Sequence, residues 1–186
     1  MTDIEARINE TLDEIKSAVD AVDVPTVVRA AKLLLEANVI VTFGNGGSYA
    51  TASHLVGDLL LRTRAGCFVK SIGDNLTMHT ACNNDFSWEE AAAIELNRLC
   101  TAPGPGVVVL FSTSGESKNV VRMAKQARQM NYKVIAIFGC HLNRIEPYAD
   151  VVFKVDGTKS GRIEAVHSAI CHAIAEAIRG LSGEAD

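Results

Sequence analysis

Apolar side chains recur at Ile4, Ile8, Leu12, Ile15 and Val19, a spacing of three or four residues that predicts an amphipathic helix at the start of the chain. A second helix is predicted in VPTVVRAAKLLLEAN, with Pro25 near its first turn, where the missing N–H costs little. The pattern then changes. VIVTF (39–43) is short, β-branched and without alternation, as expected of a strand buried on both faces of a parallel sheet. The same unit returns along the chain. CFVKSI (67–72) predicts a strand and WEEAAAIELNRLC (88–100) a helix. GVVVLFS (106–112) predicts a strand, followed by a turn and helix in TSGESKNVVRMAKQARQM. KVIAIFG (133–139) predicts another strand, DVVFKV (150–155) an edge or final strand, and RIEAVHSAICHAIAEAIRGL (162–181) a long closing helix. Strands alternating with helices predict a doubly wound, mostly parallel α/β sheet with helices on both faces. Nothing resembling a linker divides the chain. The expectation is one domain over 1–186, with two N-terminal helices (1–37) standing outside an α/β core (38–186).

Composition narrows the function classes. The formal net charge of −4, with no run of Lys or Arg, gives no basic surface for nucleic acid. It leaves room for a small anionic substrate, since a local site can be positive inside an acidic protein. The 5 cysteines show no CxxC spacing, which argues against a disulfide framework or a zinc knuckle and for reduced thiols. The N-terminus is acidic and amphipathic rather than signal-like, and no apolar run approaches the roughly 18 residues of a membrane span. The expected compartment is the cytoplasm.

Three constellations carry candidate chemistry. Gly44-Asn45-Gly46-Gly47-Ser48 lies between a strand and a helix, where glycines let a ligand approach the backbone and a helix N-terminus offers free N–H groups. The motif is neither GxGxxG nor a Walker loop, and a plain β–α turn is the alternative. In the second, Ser112, Thr113, Ser114 and Ser117 place four hydroxyls around another strand-to-helix turn. Hydroxyls and backbone N–H groups suit a phosphate monoester that must bind and leave, and four exceed what a helix cap needs. The third is ionisable. His54 and Asp58 share a helix face at i,i+4, while Glu164, His167 and His172 lie close together on the closing helix. Such residues suit a metal such as zinc or an acid–base pair. Periodicity does not choose between His167 and His172, because Glu164 and His172 sit about 80° apart on an ideal helix.

With GNGGS at 44–48, NND at 83–85, STSGES at 112–117 and RIEAVHSAICH at 162–172 in view, the chain resembles the sugar isomerase (SIS) domain family. Within it, the resemblance is to the sedoheptulose 7-phosphate isomerases, or phosphoheptose isomerases, over nearly the whole length. The resemblance implies substrate contacts from Asn45, Gly46, Gly47 and Ser48 and from Asn84 and Asp85. It implies a phosphate grip from Ser112, Thr113, Ser114 and Ser117. It also implies a cluster of His54, Asp58, Glu164 and His172, and Arg62 as a contact to phosphate or to a neighbouring subunit. The GNGGS turn then grips the sugar end, and the hydroxyl loop the phosphate. Homotetramers with sites at subunit interfaces are implied as well, and His79, His141 and His167 are left as structural or surface residues.

Two residues depart from the family pattern. Asp58 stands where the family has glutamate, and Glu164 where it has glutamine. The extra carboxylate can strengthen binding of a divalent cation such as zinc, or the carboxylates can divide the proton work. The expected reaction is aldose–ketose isomerisation of a phosphorylated sugar through a cis-enediolate, with Asp58 as base, His172 as acid, and His54 and Glu164 as metal or hydroxyl ligands. The alternatives are a SIS-fold regulator without catalysis and an isomerase of another phosphosugar such as arabinose 5-phosphate.

Overall fold

The computed structural model describes residues 2–62, 67–99, 104–140 and 144–183, the side chain of Arg62 excepted. Helix α1 (Asp3–Asp20) starts at a capping box, in which Thr2 accepts from the Glu5 backbone and the Glu5 carboxylate accepts from the Thr2 N–H. Helix α2 (Val24–Glu36) is capped by Asp23, with Pro25 in its first turn as predicted. Five strands follow: β1 (Val39–Phe43), β2 (Phe68–Ser71), β3 (Gly106–Ser112), β4 (Lys133–Gly139) and β5 (Val151–Val155). All pair in parallel, in the order β2-β1-β3-β4-β5. The doubly wound architecture is therefore as expected, and the predicted edge strand 150–155 is indeed an edge.

Alternation along the central strands fills two cores. Ile40, Val107, Val109, Phe111, Ile135 and Ile137 face α2, α3 (Gly47–Arg62) and α7 (Ser160–Ser182). Val39, Val41, Val108, Leu110, Val134 and Phe138 face α5 (Trp88–Leu99) and α6 (Lys118–Gln129). Strands β1 and β3 are buried at every position, which explains why their sequences are unbroken apolar runs. Two elements were not predicted: a 3-10 turn (Glu146–Tyr148), and α4 (Leu76–Asp85), which lacks an amphipathic stripe and is announced only by its N-cap, Asn75, accepting from the Met78 N–H.

Helix α1 buries none of its residues. It is held by Ile15 and Ala18, half-buried against the core, and by the buried Arg162 of α7, which pairs with Glu14 and donates to Thr11 Oγ1 at 2.9 Å. Ile4, Ile8 and Leu12 remain more than half exposed. No helix among the described residues is long and apolar enough to cross a membrane.

Candidate active site

Strand order places the topological switch between β1 and β3, the pair from which the chain winds in opposite directions. Ligands in such sheets gather at the carboxyl ends of the strands there. The two loops found by sequence, 44–48 and 112–117, leave those two strand ends. A side-chain bridge joins them: Asn45 Nδ2 donates to Asn119 Oδ1 at 3.0 Å, and Asn119 Nδ2 donates to Asn45 Oδ1 at 2.8 Å. Asn119 is buried in the first turn of α6 and also accepts from the Val120 N–H. Sequence reading passed it over, although its place two residues after Ser117 at a helix start was the available signal.

The loops differ in make-up. In the first, Gly46 has φ of +56°, a left-handed value that favours glycine, and Gly47 opens α3. A methyl group at Gly47 would overlap the carboxylate of Glu164, so glycine there lets α7 approach the turn. In the second, Ser112 Oγ lies 3.4 Å from both Ser114 Oγ and Ser117 Oγ, three hydroxyls converging at the strand end. Ser117 is the N-cap residue of α6 yet its side chain makes no capping bond; its hydroxyl meets Ser112 Oγ instead. Thr113 instead donates to Ser160 Oγ at 3.3 Å, fastening the loop to the start of α7. Glu116 points elsewhere and pairs with Arg144 at 3.6 Å.

The ionisable group lies along the seam between α3 and α7, which run side by side in the same direction: Gly47 meets Glu164, Thr51 Oγ1 lies 3.2 Å from Ser168 Oγ, and the histidines follow. Asp58 Oδ2 faces His54 Nε2 at 3.6 Å and His172 Nδ1 at 3.4 Å, with the two imidazoles edge to face at 5.0 Å. That oxygen is out of contact with solvent and has no hydrogen-bond partner, a costly state for a carboxylate oxygen unless something else engages it. One donor atom from each of the three residues lies within 4.8 Å of the others. Two imidazole nitrogens and one carboxylate oxygen, with further positions open, fit a borderline divalent cation such as zinc.

The structure brings together three of the four cluster residues expected from sequence. Glu164 is not in that group: its carboxylate rests on the 44–48 turn instead, eight residues and about 12 Å of helix rise before His172. Burial separates the two histidines. His167 is fully buried under Phe111, ring centroids 6.1 Å apart, and burial pushes its pKa down to about 4. Cys171, at i,i+7 from Glu164, is buried too, and burial pushes its thiol up. His172 emerges beside Asp58. Ser48 is buried at the start of α3. Asn84 and Asp85 are exposed at the end of α4, where Asn84 Nδ2 donates to Asp85 Oδ1 at 2.9 Å. His79 pairs at 3.2 Å with the buried Glu95, a structural role. The Arg62 side chain and His141 lie outside the described residues.

Comparison with known proteins gives the same outline. The family model of the SIS domain matches residues 4–139. The probable phosphoheptose isomerase of Thermoplasma acidophilum is 30% identical over 172 residues, covering 91% of this chain and 89% of that protein. The phosphoheptose isomerase of Chlorobaculum parvum is 32% identical, covering 97% and 87%. Among solved structures, a phosphoheptose isomerase from Neisseria gonorrhoeae superimposes with a TM-score of 0.83 at 27% identity, over 95% of this chain and 97% of that one. The chain belongs to the SIS domain family, on the side of the phosphoheptose isomerases.

Proposed function

We propose that this SIS-domain chain is an aldose–ketose isomerase that converts sedoheptulose 7-phosphate to a heptose 7-phosphate through a cis-enediolate. The observation that carries the reading is the Asp58 carboxylate, enclosed between two imidazoles on the helix that leaves the β1 turn, in a molecule whose neighbouring strand end carries three converging hydroxyls. Relatives about 30% identical that are named phosphoheptose isomerases support it.

The reaction needs a grip on the phosphate, a hold on the polyol and proton transfer at two adjacent carbons. Ser112, Thr113, Ser114 and Ser117 take the phosphate, helped by the N-terminal end of α6. Asn45, Gly46, Gly47 and Ser48 take the sugar end. Asp58 removes the proton from C1, and the electron pair forms the C1–C2 double bond as the carbonyl oxygen on C2 takes a proton from His172. Return of a proton to C2, with loss of the O1 proton to His172, closes the cycle with no net change in atoms or electrons. His54, Asp58 and His172 would hold a divalent cation such as zinc, which supplies a Lewis acid for the carbonyl oxygen when bound. Asn84, Asp85 and Arg62 add contacts in a cytoplasmic homotetramer. The exposed Ile4, Ile8 and Leu12 of α1 support that assembly, since an unburied apolar surface needs a covering one.

The test is incubation of the purified protein with sedoheptulose 7-phosphate, with and without zinc, followed by NMR of the products. An aldose 7-phosphate is expected. Its absence under both conditions would overturn the isomerase reading.

A further inference from the structure

Helix α7 begins without a cap of its own. Its N-cap residue is Lys159, whose side chain makes no capping bond, and its first turn carries no acid. The missing acceptor comes from the far end of the sequence. Glu14 of α1 accepts from the Thr158 N–H at 2.6 Å and from Thr158 Oγ1 at 3.2 Å, and it pairs with Arg162. One carboxylate thus holds the backbone just before α7 and a buried guanidinium inside its first turn, where an acid also complements the positive end of the helix. Between those two points lies Ser160, whose Oγ accepts from Thr113 of the hydroxyl loop at 3.3 Å. On the opposite side the Thr113 carbonyl rests on Gly139 so closely that a methyl group there would lie 2.1 Å from its oxygen. The loop is therefore held from β4 and from the start of α7, and the start of α7 is held from α1.

We propose that Glu14 is a positioning residue for the phosphate end of the site: through Thr158 and Arg162 it fixes Ser160, and through Ser160 it sets Thr113 and the 112–117 loop in their binding geometry. This rests on the phosphosugar reading above, in which that loop takes the phosphate. The physical basis is pre-organisation. A loop already fixed in its bound form loses less freedom when the ligand arrives, and a displacement of about 1 Å is enough to spoil the contacts. The effect belongs to the phosphate end alone. His172 lies twelve residues beyond Ser160, about 18 Å of helix rise, and the buried Ile163, Val166 and Ile170 pin α7 to the core in between. Helix α1, which buries none of its own residues, is in this way tied to the grip on the ligand.

The test is a double-mutant cycle on Glu14 and Ser160. Calorimetry measures the affinity for sedoheptulose 7-phosphate and for inorganic phosphate, and steady-state kinetics gives KM and kcat. Glu14→Ala should weaken both ligands about 10-fold and raise KM to match, with kcat within about 2-fold. Glu14→Gln, which keeps an acceptor for Thr158 but loses the charge facing Arg162, should fall between. Ser160→Ala cuts the link to Thr113 and should itself weaken binding; adding Glu14→Ala to it should then change affinity by less than about 2-fold. A merely stabilising contact would lower the melting temperature and leave KM and phosphate affinity in place, and that result overturns the proposal. Additive effects of Glu14→Ala and Ser160→Ala overturn it too, since the two residues would then act by separate routes. Should Glu14→Ala fail to fold, the same cycle with Glu14→Gln decides by the same criteria. A wild type that does not bind sedoheptulose 7-phosphate overturns the phosphosugar reading, and the proposal with it. A wild type that binds it, with an affinity unmoved in Glu14→Ala, overturns the proposal alone.

Discussion

The loops at 44–48 and 112–117 occupy equivalent places: each leaves a fully buried strand at the switch point and opens a helix. Topology alone would give them the same ligand. Their side chains separate them. The 44–48 turn has a left-handed glycine, close backbone packing and an unpaired acid against it, while the 112–117 loop has three converging hydroxyls and an acid already paired with Arg144. The lesson is that a helix N-terminus is a general invitation to an anion, and neighbouring side chains decide whether it is accepted. The reciprocal Asn45–Asn119 amides then fix the spacing between the two loops, so a ligand gripped at one is presented to the other at a set distance.

The sharpest way to break this division of labour is at the chemistry it serves. Asp58→Asn should lower turnover by about 10²- to 10⁴-fold while leaving the affinity for sugar phosphate within a few-fold, because the grip lies in other residues. Steady-state kinetics with a binding isotherm checks it, and full activity would refute the assignment.

The next effect concerns the support under one loop only. His167 lies beneath Phe111, the residue that precedes Ser112, with both ring nitrogens buried and unpaired. Its pKa is about 4 in the folded chain against 6.5 ordinarily, so the unfolded chain takes up the proton first as pH falls. Stability is therefore complete above about pH 6.5 and is lost between there and about pH 4, by about 3 kcal/mol in total. Thermal melts across this range should show the fall, and His167→Leu should flatten it. Hydrogen exchange should find the hydroxyl loop opening before the glycine turn.

The smallest change tests the grip. Ser117→Ala should weaken sugar-phosphate binding by about 10- to 100-fold, the usual worth of a hydrogen bond to a charged group, with kcat nearly unchanged. The melting temperature should also hold, because that hydroxyl caps nothing. A loss of stability without a loss of affinity would make Ser117 a structural residue and erase the contrast between the loops.

Much of this was legible in advance, for identifiable reasons. Strands β1, β3 and β4 announce themselves because a parallel sheet covered on both faces needs unbroken apolar runs. The two loops could be placed because glycines and hydroxyls cluster only where strands end. Helix α4 was missed because it has no apolar stripe to reveal it, and Asn119 because a single asparagine in a helix gives no sign of its partner 74 residues away. The placement of Glu164 could not be read either. Its sequence distance from His172 leaves open which neighbour it meets, and only the packing of α7 against α3 sets its carboxylate on Gly47.

What the sequence by itself determined is the periodicity, and with it the α/β alternation, the positions of the loops and the residues able to do acid–base or metal chemistry. These are local properties, set by which side chains must face a core. Tertiary structure alone decided which of those residues meet. It put His172 beside Asp58 and His167 under the sheet, on the same helix and five residues apart in number, because one side of α7 packs on the sheet and another lies along α3. Burial, rather than residue type, made one imidazole a candidate for chemistry and the other part of the core.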